Sequence, residues 1–212
     1  EAVSADGTKI PVRVTHKKGL KLDGSNPALI QAYGGFRIPK FYPVYETPTH
    51  EFLKRGGVLT QAALRGGNEF GEDWHKAGMQ ENKKNTFADL AATAKALKDL
   101  KYSPSEKIIT YGGSNGGLVV SASALLHPEN FGLVIDLNGV HDMFGKERLD
   151  PRHGSGWITE YGDSRKEKAA AYLSNYSPVE VPAVRPQKLP DFLLVVGKND
   201  SRVNPAHSYK FV

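Results

Sequence analysis

The five residues Gly112-Gly113-Ser114-Asn115-Gly116 fit the pattern G-x-S-x-G, which holds a nucleophilic serine at the tip of a sharp turn. A serine hydroxyl attacks only when a base takes its proton, a third group orients that base, and donors receive the oxyanion. The apolar run before Ser114, "KIITY", reads as a buried strand, and the run after it, "GLVVSASALL", reads as a buried helix. A strand-to-helix turn this tight requires glycine on both sides of the serine, because a Cβ there would clash. The helix that follows directs its first N–H groups at the place where negative charge develops. In this context a nucleophile accounts for Ser114 better than a helix cap does.

The helpers are unequally represented. The backbone N–H of Asn115, next after the serine, is one oxyanion donor. The glycine-rich stretch Ala32-Tyr33-Gly34-Gly35-Phe36 is the candidate loop for a second, unless it is a plain tight turn. The orienting acid should follow a later strand, and Asp200 stands just past the apolar run "FLLVVG"; Asn199-Asp200-Ser201 is also good turn chemistry. Asp136 and Asp142 are rivals, placed beside an earlier strand. Histidine should come last in the order Ser, Asp, His. The chain has seven, at 16, 50, 75, 127, 141, 153 and 207, and only His207 follows Asp200. It does so seven residues on, too soon for another helix and strand to intervene, so a surface or packing role is expected for it. His141 and His153 lie in a plausible region but in the wrong order. The base is therefore absent from this chain.

The elements that must position these residues alternate. "SADGT" turns the chain into a strand carrying Ile10, Val12 and Val14, which reads as a hairpin. "ALIQAYGG" and "GGVLTQAALRGG" are apolar runs closed by glycines, with an exposed helical stretch, "THEFLKR", between them. Phe87, Leu90, Ala91, Ala94, Leu97 and Leu100 share one face of a helix predicted over 83–101. Further strands at "FGLVIDLNG" and "DFLLVVGKND" alternate with helices at "SRKEKAAAYLSNY" and "PAHSYKFV". The segment "HDMFGKERLDPRHGSGWITEYGDS" has no clean period and is expected to be an irregular loop near the site. Strands apolar throughout, alternating with helices, imply an α/β fold with a mostly parallel sheet covered on both faces. Ligands bind such sheets at the carboxyl ends of the strands, where glycine and polar residues concentrate here.

Bulk properties agree with one sizeable domain. The 212 residues are 39% hydrophobic and 24% charged, and no apolar run is long enough for a membrane span. With no cysteine, disulfides, thiolate catalysis and cysteine-rich zinc sites are excluded. The net charge of +5 is spread over mixed segments such as "ENKKN" and "SRKEK", which describes a solvated surface rather than a nucleic-acid site. No membrane partner is expected. The opening residues resemble neither a signal nor a transit peptide, so a cytoplasmic location is the expectation.

At this point the chain resembles the catalytic domain of the prolyl oligopeptidase family, serine peptidases of the α/β-hydrolase fold. "DGTKIPVRVTHKKGLKLDGSNPALIQAYGGF", "RGGNEFGEDWHKAG", "GGSNGGL" and "NDSRVNPAHS" carry the resemblance, in the family's order and over essentially the whole chain. The resemblance implies hydrolysis of short proline-containing peptides on the carboxyl side of proline, with no metal or organic cofactor. It implies Ser114 as nucleophile and Asp200 as triad acid. It assigns the second oxyanion donor to the Tyr33 hydroxyl, beside the N–H of Asn115, rather than to a backbone group of that loop. Phe36, Asn115, Val140, Trp157 and Tyr161 match the proline pocket, with Trp157 stacking on the pyrrolidine ring. Arg202 matches an arginine that binds a substrate carbonyl, and Val203 its neighbour on the pocket wall.

Three departures stand beside it. The family's "RGGGEYG" is "RGGNEFG" here, with Asn68 and Phe70 substituted. The family's β-propeller is not in these residues. Its catalytic histidine, which follows one more strand, would lie beyond Val212. Residues 1–212 therefore read as a partial catalytic domain, its sheet incomplete at the C-terminal end, whose partners in the parent chain are the propeller and a C-terminal segment. Such a chain is expected to be inactive alone. A relative of other specificity, such as an acylaminoacyl peptidase, and a non-catalytic interaction module that kept the fold are the alternatives.

Overall fold

A computed structural model describes residues 1–42, 46–151, 154–181 and 188–212, the last stretch reaching the end of the chain. Its strands are β1 (Ala2–Val3), β2 (Lys9–Ile10), β3 (Val12–Thr15), β4 (Ala28–Gln31), β5 (Val58–Ala62), β6 (Ile108–Gly113), β7 (Leu133–Leu137) and β8 (Asp191–Val195). Among the described residues, six of them form one sheet in the order β3-β5-β4-β6-β7-β8. β3 runs antiparallel to β5, and every other pair is parallel. β1 and β2 form a separate antiparallel hairpin. The single strand expected through Ile10, Val12 and Val14 is thus two, divided at Pro11. A proline has no N–H for a ladder and its φ is fixed, so pairing passes from the hairpin to the sheet at that residue.

The helices are α1 (Thr47–Lys54), α2 (Glu72–Lys76), α3 (Lys83–Asp99), α4 (Asn115–Leu126), α5 (Lys146–Leu149), α6 (Gly154–Tyr161), α7 (Glu167–Leu173) and α8 (Ala206–Phe211). α4 lies against β6 and β7, α3 packs on α4, and α1 rests against β5. α4 is buried from Asn115 to Ala124, which its small apolar sequence permits. Phe87, Leu90, Ala91, Ala94 and Leu97 of α3 face this layer as expected, but Leu100 is 62% exposed. The helix ends at Asp99, so Leu100 lies beyond its packed face, and Lys101 in a left-handed conformation (φ 59°) then turns the chain away.

The segment expected to be an irregular loop also differs from expectation. Lys146–Leu149 and Gly154–Tyr161 within it are helical, as α5 and α6. Trp157, Glu160 and Tyr161 sit at i, i+3 and i+4 and are buried together, so a helical period exists but spans little more than one turn. Coverage of the sheet is uneven towards β8. β6 and β7 bury alternate residues, with Leu133, Ile135 and Leu137 half-exposed, whereas β8 only partly buries Phe192 and Leu194 and leaves Leu193 and Val195 exposed. Apolar composition on both sides of these strands is therefore matched by full burial on one side of β6 and β7 and on neither side of β8.

Candidate active site

The turn between β6 and α4 has the geometry that its glycines require. Ser114 holds φ 56° and ψ −119°, a conformation an L-residue adopts only when its surroundings enforce it. Its N–H donates to the Leu137 carbonyl at 2.9 Å, and its carbonyl accepts from Leu118 N–H at 3.2 Å, so both neighbouring elements clamp it. A Cβ on Gly116 would meet the Ala32 carbonyl oxygen at 2.6 Å, and one on Gly112 would overlap the Gly116 carbonyl. Ser114 itself stays partly exposed at the carboxyl end of the sheet.

The loop after β4 lies directly beside this turn. A Cβ on Gly116 would stand 3.4 Å from Tyr33 Cα and from the Tyr33 ring. Asn115, fully buried, has its backbone N–H at the head of α4 and donates from Nδ2 to the Tyr33 carbonyl at 2.5 Å. The Tyr161 hydroxyl donates in turn to Asn115 Oδ1 at 2.9 Å. Gly34, Phe36 and Arg37 all have positive φ, so the chain doubles back within five residues. Tyr33 is half-buried. Burial pushes its phenol up, the Glu160 carboxylate adds to this, and the Arg202 guanidinium opposes it. Tyr33, Glu160 and Arg202 thus share one electrostatic neighbourhood although they come from three separate segments.

Asp200 stands in the loop after β8, two strands from Ser114. Its Oδ1 accepts the N–H groups of Arg202 (2.8 Å) and Val203 (3.0 Å), which fixes the carboxylate while leaving Oδ2 outside this turn. A hydrogen-bonded path joins it to the serine turn. Gly197 N–H donates to Asn138 Oδ1 at 2.7 Å, and Asn138 follows Leu137, whose carbonyl holds Ser114. The turn chemistry of Asn199-Asp200-Ser201 is therefore real, and it leaves one carboxylate oxygen for another partner.

Of the residues matched to a proline pocket, Phe36, Tyr161 and Trp157 come together. The Phe36 and Tyr161 rings meet edge-to-face at 5.5 Å, and Tyr161 and Trp157 do so at 6.3 Å. Trp157 keeps 9% of its surface and Tyr161 none, while Phe36 is half-buried. Val140 and Val203 are buried in the core, at 1% and 3% exposure. Arg202 is exposed.

Among the described residues, the three buried histidines are each committed to a carboxylate other than Asp200. His75 meets Glu160 at 2.8 Å, His141 meets Asp136 at 2.7 Å, and His207 meets Asp150 at 2.9 Å. Ser121, Asp136 and His141 have the residue types of a triad, yet Asp136 stands between the other two, accepting from Ser121 at 2.5 Å, so the histidine does not face that serine. His207 has the packing role expected of it, next to the Trp157 ring at 6.2 Å. The rival Asp142 is taken by Lys210. His153 lies outside the described residues.

Sequence reasoning missed a buried charge cluster beneath the Tyr33 loop. Lys83 Nζ, wholly buried, donates to the Gly34 carbonyl at 2.8 Å and to Glu160 Oε1 at 3.1 Å. A signal existed, since Lys83 occupies the apolar face of α3, four residues before Phe87 and seven before Leu90. Glu160 likewise shares the face of α6 that carries Trp157 and Tyr161. A charge on an apolar face needs a buried partner, and that pairing could have been sought.

Comparison with known proteins follows this geometry closely. The prolyl oligopeptidase family model matches residues 45–212. A prolyl endopeptidase of Elizabethkingia miricola is 37% identical over 209 residues, covering 98% of this chain and 29% of that protein. A dual function macrocyclase-peptidase of Galerina marginata is 40% identical over 215 residues, covering 99% and 28%. Among solved structures, one of a pair of prolyl endopeptidases superposes with a TM-score of 0.94 at 39% identity, over 99% of this chain and 30% of that one. A post-proline cleaving enzyme from Rickettsia typhi superposes at 0.93 and 36%, over 99% and 30%. The chain thus spans about 29% of the length of the curated relatives it matches.

Proposed function

This chain belongs to the prolyl oligopeptidase family, and on that premise we propose that it is the serine-bearing part of a peptidase cleaving short peptides on the carboxyl side of proline. The observation that carries the reading is the backbone of Ser114, held at φ 56° between β6 and α4, with Gly112 and Gly116 beside it where a Cβ would overlap backbone atoms. In this reading residues 1–212 are part of the catalytic domain, and the base is a histidine of the longer protein, outside these residues. A β-propeller and a C-terminal segment complete that protein.

The chemistry runs as acyl transfer. Ser114 Oγ attacks the carbonyl carbon of the proline residue while the histidine takes the hydroxyl proton, and Asp200 steadies the resulting imidazolium. The tetrahedral oxyanion lies between the Asn115 N–H and the Tyr33 hydroxyl. The C–N bond then breaks, the leaving amine takes the proton from histidine, and water hydrolyses the acyl-enzyme. No metal or organic cofactor takes part. Arg202 holds a carbonyl further along the substrate. The row Phe36–Tyr161–Trp157 supports proline as the residue held, because edge-to-face aromatic surfaces suit a rigid ring without an N–H. Glu160, the acidic residue nearest that row in sequence, is occupied by Lys83 and His75, which leaves it unavailable to a basic side chain of a substrate.

The test compares the 212-residue chain with the longer protein carrying it, on a short fluorogenic peptide with proline before the cleaved bond. The longer protein should cleave after proline and lose about 10⁴-fold or more with Ser114→Ala, whereas the chain alone should show no turnover. Equal rates for Ser114→Ala and the unaltered protein would remove the serine mechanism. Cleavage as fast after alanine or lysine would remove the proline specificity.

A further inference from the structure

Nothing in the reaction above uses the cluster of Lys83, Glu160 and His75, yet it is the most deeply buried set of charges near the Tyr33 loop. Lys83 and Glu160 have side-chain exposures of 0% and 3%, and His75 has 6%. Burying an ammonium and a carboxylate costs several kcal/mol each unless geometry returns it, so such a pair is rarely kept for stability alone. Burial pulls the Lys83 ammonium down and Glu160 alone holds it up.

The connections of this cluster all lead to one loop. Two successive carbonyls, those of Tyr33 and Gly34, are gripped by side chains from two helices: Asn115 of α4 on the first and Lys83 of α3 on the second. Gly35 runs between them, for a Cβ there would lie 2.5 Å from Asn115 Nδ2 and 2.8 Å from Lys83 Nζ. Gripping consecutive carbonyls fixes the intervening peptide plane, and with it the direction in which Tyr33 leaves the backbone. Lys83 also lies 5.6 Å over the Tyr161 ring, whose hydroxyl holds Asn115. His75 completes the support. Arg37 Nε donates to its Nδ1 at 3.3 Å, so the ring proton stands on Nε2 and is donated to Glu160 Oε2. There is an electrostatic consequence too. Glu160 acts on the Tyr33 phenol as a negative charge, and a bare carboxylate there would oppose an oxyanion at the same hydroxyl; Lys83 offsets it.

We propose that Lys83, held by Glu160, is a positioning residue that places the Tyr33 hydroxyl for the oxyanion. The proposal rests on the peptidase reading above, in which Tyr33 is that donor. Lys83 touches no substrate and acts through the loop.

The experiment is a double-mutant cycle in the longer protein, with kcat and KM measured on the proline peptide for Lys83→Met, Tyr33→Phe and the double variant. Tyr33→Phe should lower kcat by about 10²-fold, as loss of one oxyanion donor does. Lys83→Met should lower kcat between about 10- and 100-fold with KM within about twofold, because a loop misplaced by an ångström weakens the transition state more than substrate binding. In the Tyr33→Phe background the same substitution should cost less than about threefold, since the hydroxyl it positions is gone. Equal losses in both backgrounds, or a loss confined to KM, overturn the proposal and leave Lys83 a structural residue. If Lys83→Met does not fold, Glu160→Gln enters the same cycle with the same expected coupling, and additivity there overturns the proposal as well. An inactive unaltered protein would remove the peptidase reading and this proposal together, whereas an active one with additive losses removes this proposal alone.

Discussion

Ser114 occupies a backbone conformation that its neighbours permit only because they lack side chains. The constraint is local and was legible from the glycine spacing; what enforces it was not. At Gly116 the obstacle is the Ala32 carbonyl, just past the end of β4 and 84 residues earlier in the chain. Gly116→Ala should therefore lower stability by about 1–3 kcal/mol, the usual cost of forcing atoms into a packed site. It should also push Tyr33 from the serine, since the new methyl reaches that residue as well. Gly156 is the matched control, because a Cβ there meets nothing within 4 Å and Ala is the better helix former. Thermal unfolding should show a lower Tm for Gly116→Ala and an unchanged or higher one for Gly156→Ala. Equal shifts would mean that the close approach of the turn to β4 is not what demands glycine.

Elements were legible in proportion to their length and to the evenness of their period. α3 was read from a pattern repeated over several turns, and α4 from a small apolar run long enough for a buried helix. α5 and α6 were not, since their buried faces are short and glycines, with Asp150-Pro151, interrupt them. α8 was read from sequence although it has only six residues, and its docking depends on a histidine. Asp142 N–H donates to His207 Nδ1 at 3.0 Å, so Nε2 carries the proton and donates to Asp150; protonating Nδ1 would set two N–H groups against each other. Burial accordingly holds His207 below its ordinary value of 6.5, with Asp150 opposing, while His141 also lowers it and Asp142 raises it. The unfolded chain takes up a proton near 6.5 that the folded one refuses, so this contribution is complete above that pH and falls as pH drops below it. Asp142 has a lower window. Burial raises its carboxyl, but Lys210 and the Gly145 N–H outweigh this and hold it below 3.8, so its contribution is lost only as pH falls under that value. Urea unfolding from pH 8 to 3 should show a first loss of stability below about 6.5 and a second below about 4. His207→Gln should abolish the first alone; a first step that survives it would assign that step elsewhere.

For the whole molecule, the decisive feature is how the sheet ends. Among the described residues β8 pairs only with β7, and its outward Leu193 and Val195 are 50% and 47% exposed. An apolar edge with unpaired backbone groups invites pairing with another chain. The 212-residue chain should therefore self-associate at micromolar concentration, and Leu193→Lys should shift it towards monomer in light scattering after size exclusion. A monomer without the substitution would show that the edge is protected.

Sequence alone determined the tight glycine-flanked turn at Ser114, the alternation of strands and helices, and a family resemblance that comparison bears out over most of the chain. These rest on short-range rules, in which glycine meets a turn, an apolar period meets a buried face, and neighbours in sequence remain neighbours in space. Only the tertiary structure added Glu160 to the neighbourhood of Tyr33 and Arg202, turned Lys83 from an apparent surface lysine into a buried support, and assigned His75, His141 and His207 each to its carboxylate. The reason is physical. The energy of a buried charge is set by the partner that the fold delivers to it, and that partner can lie anywhere along the chain.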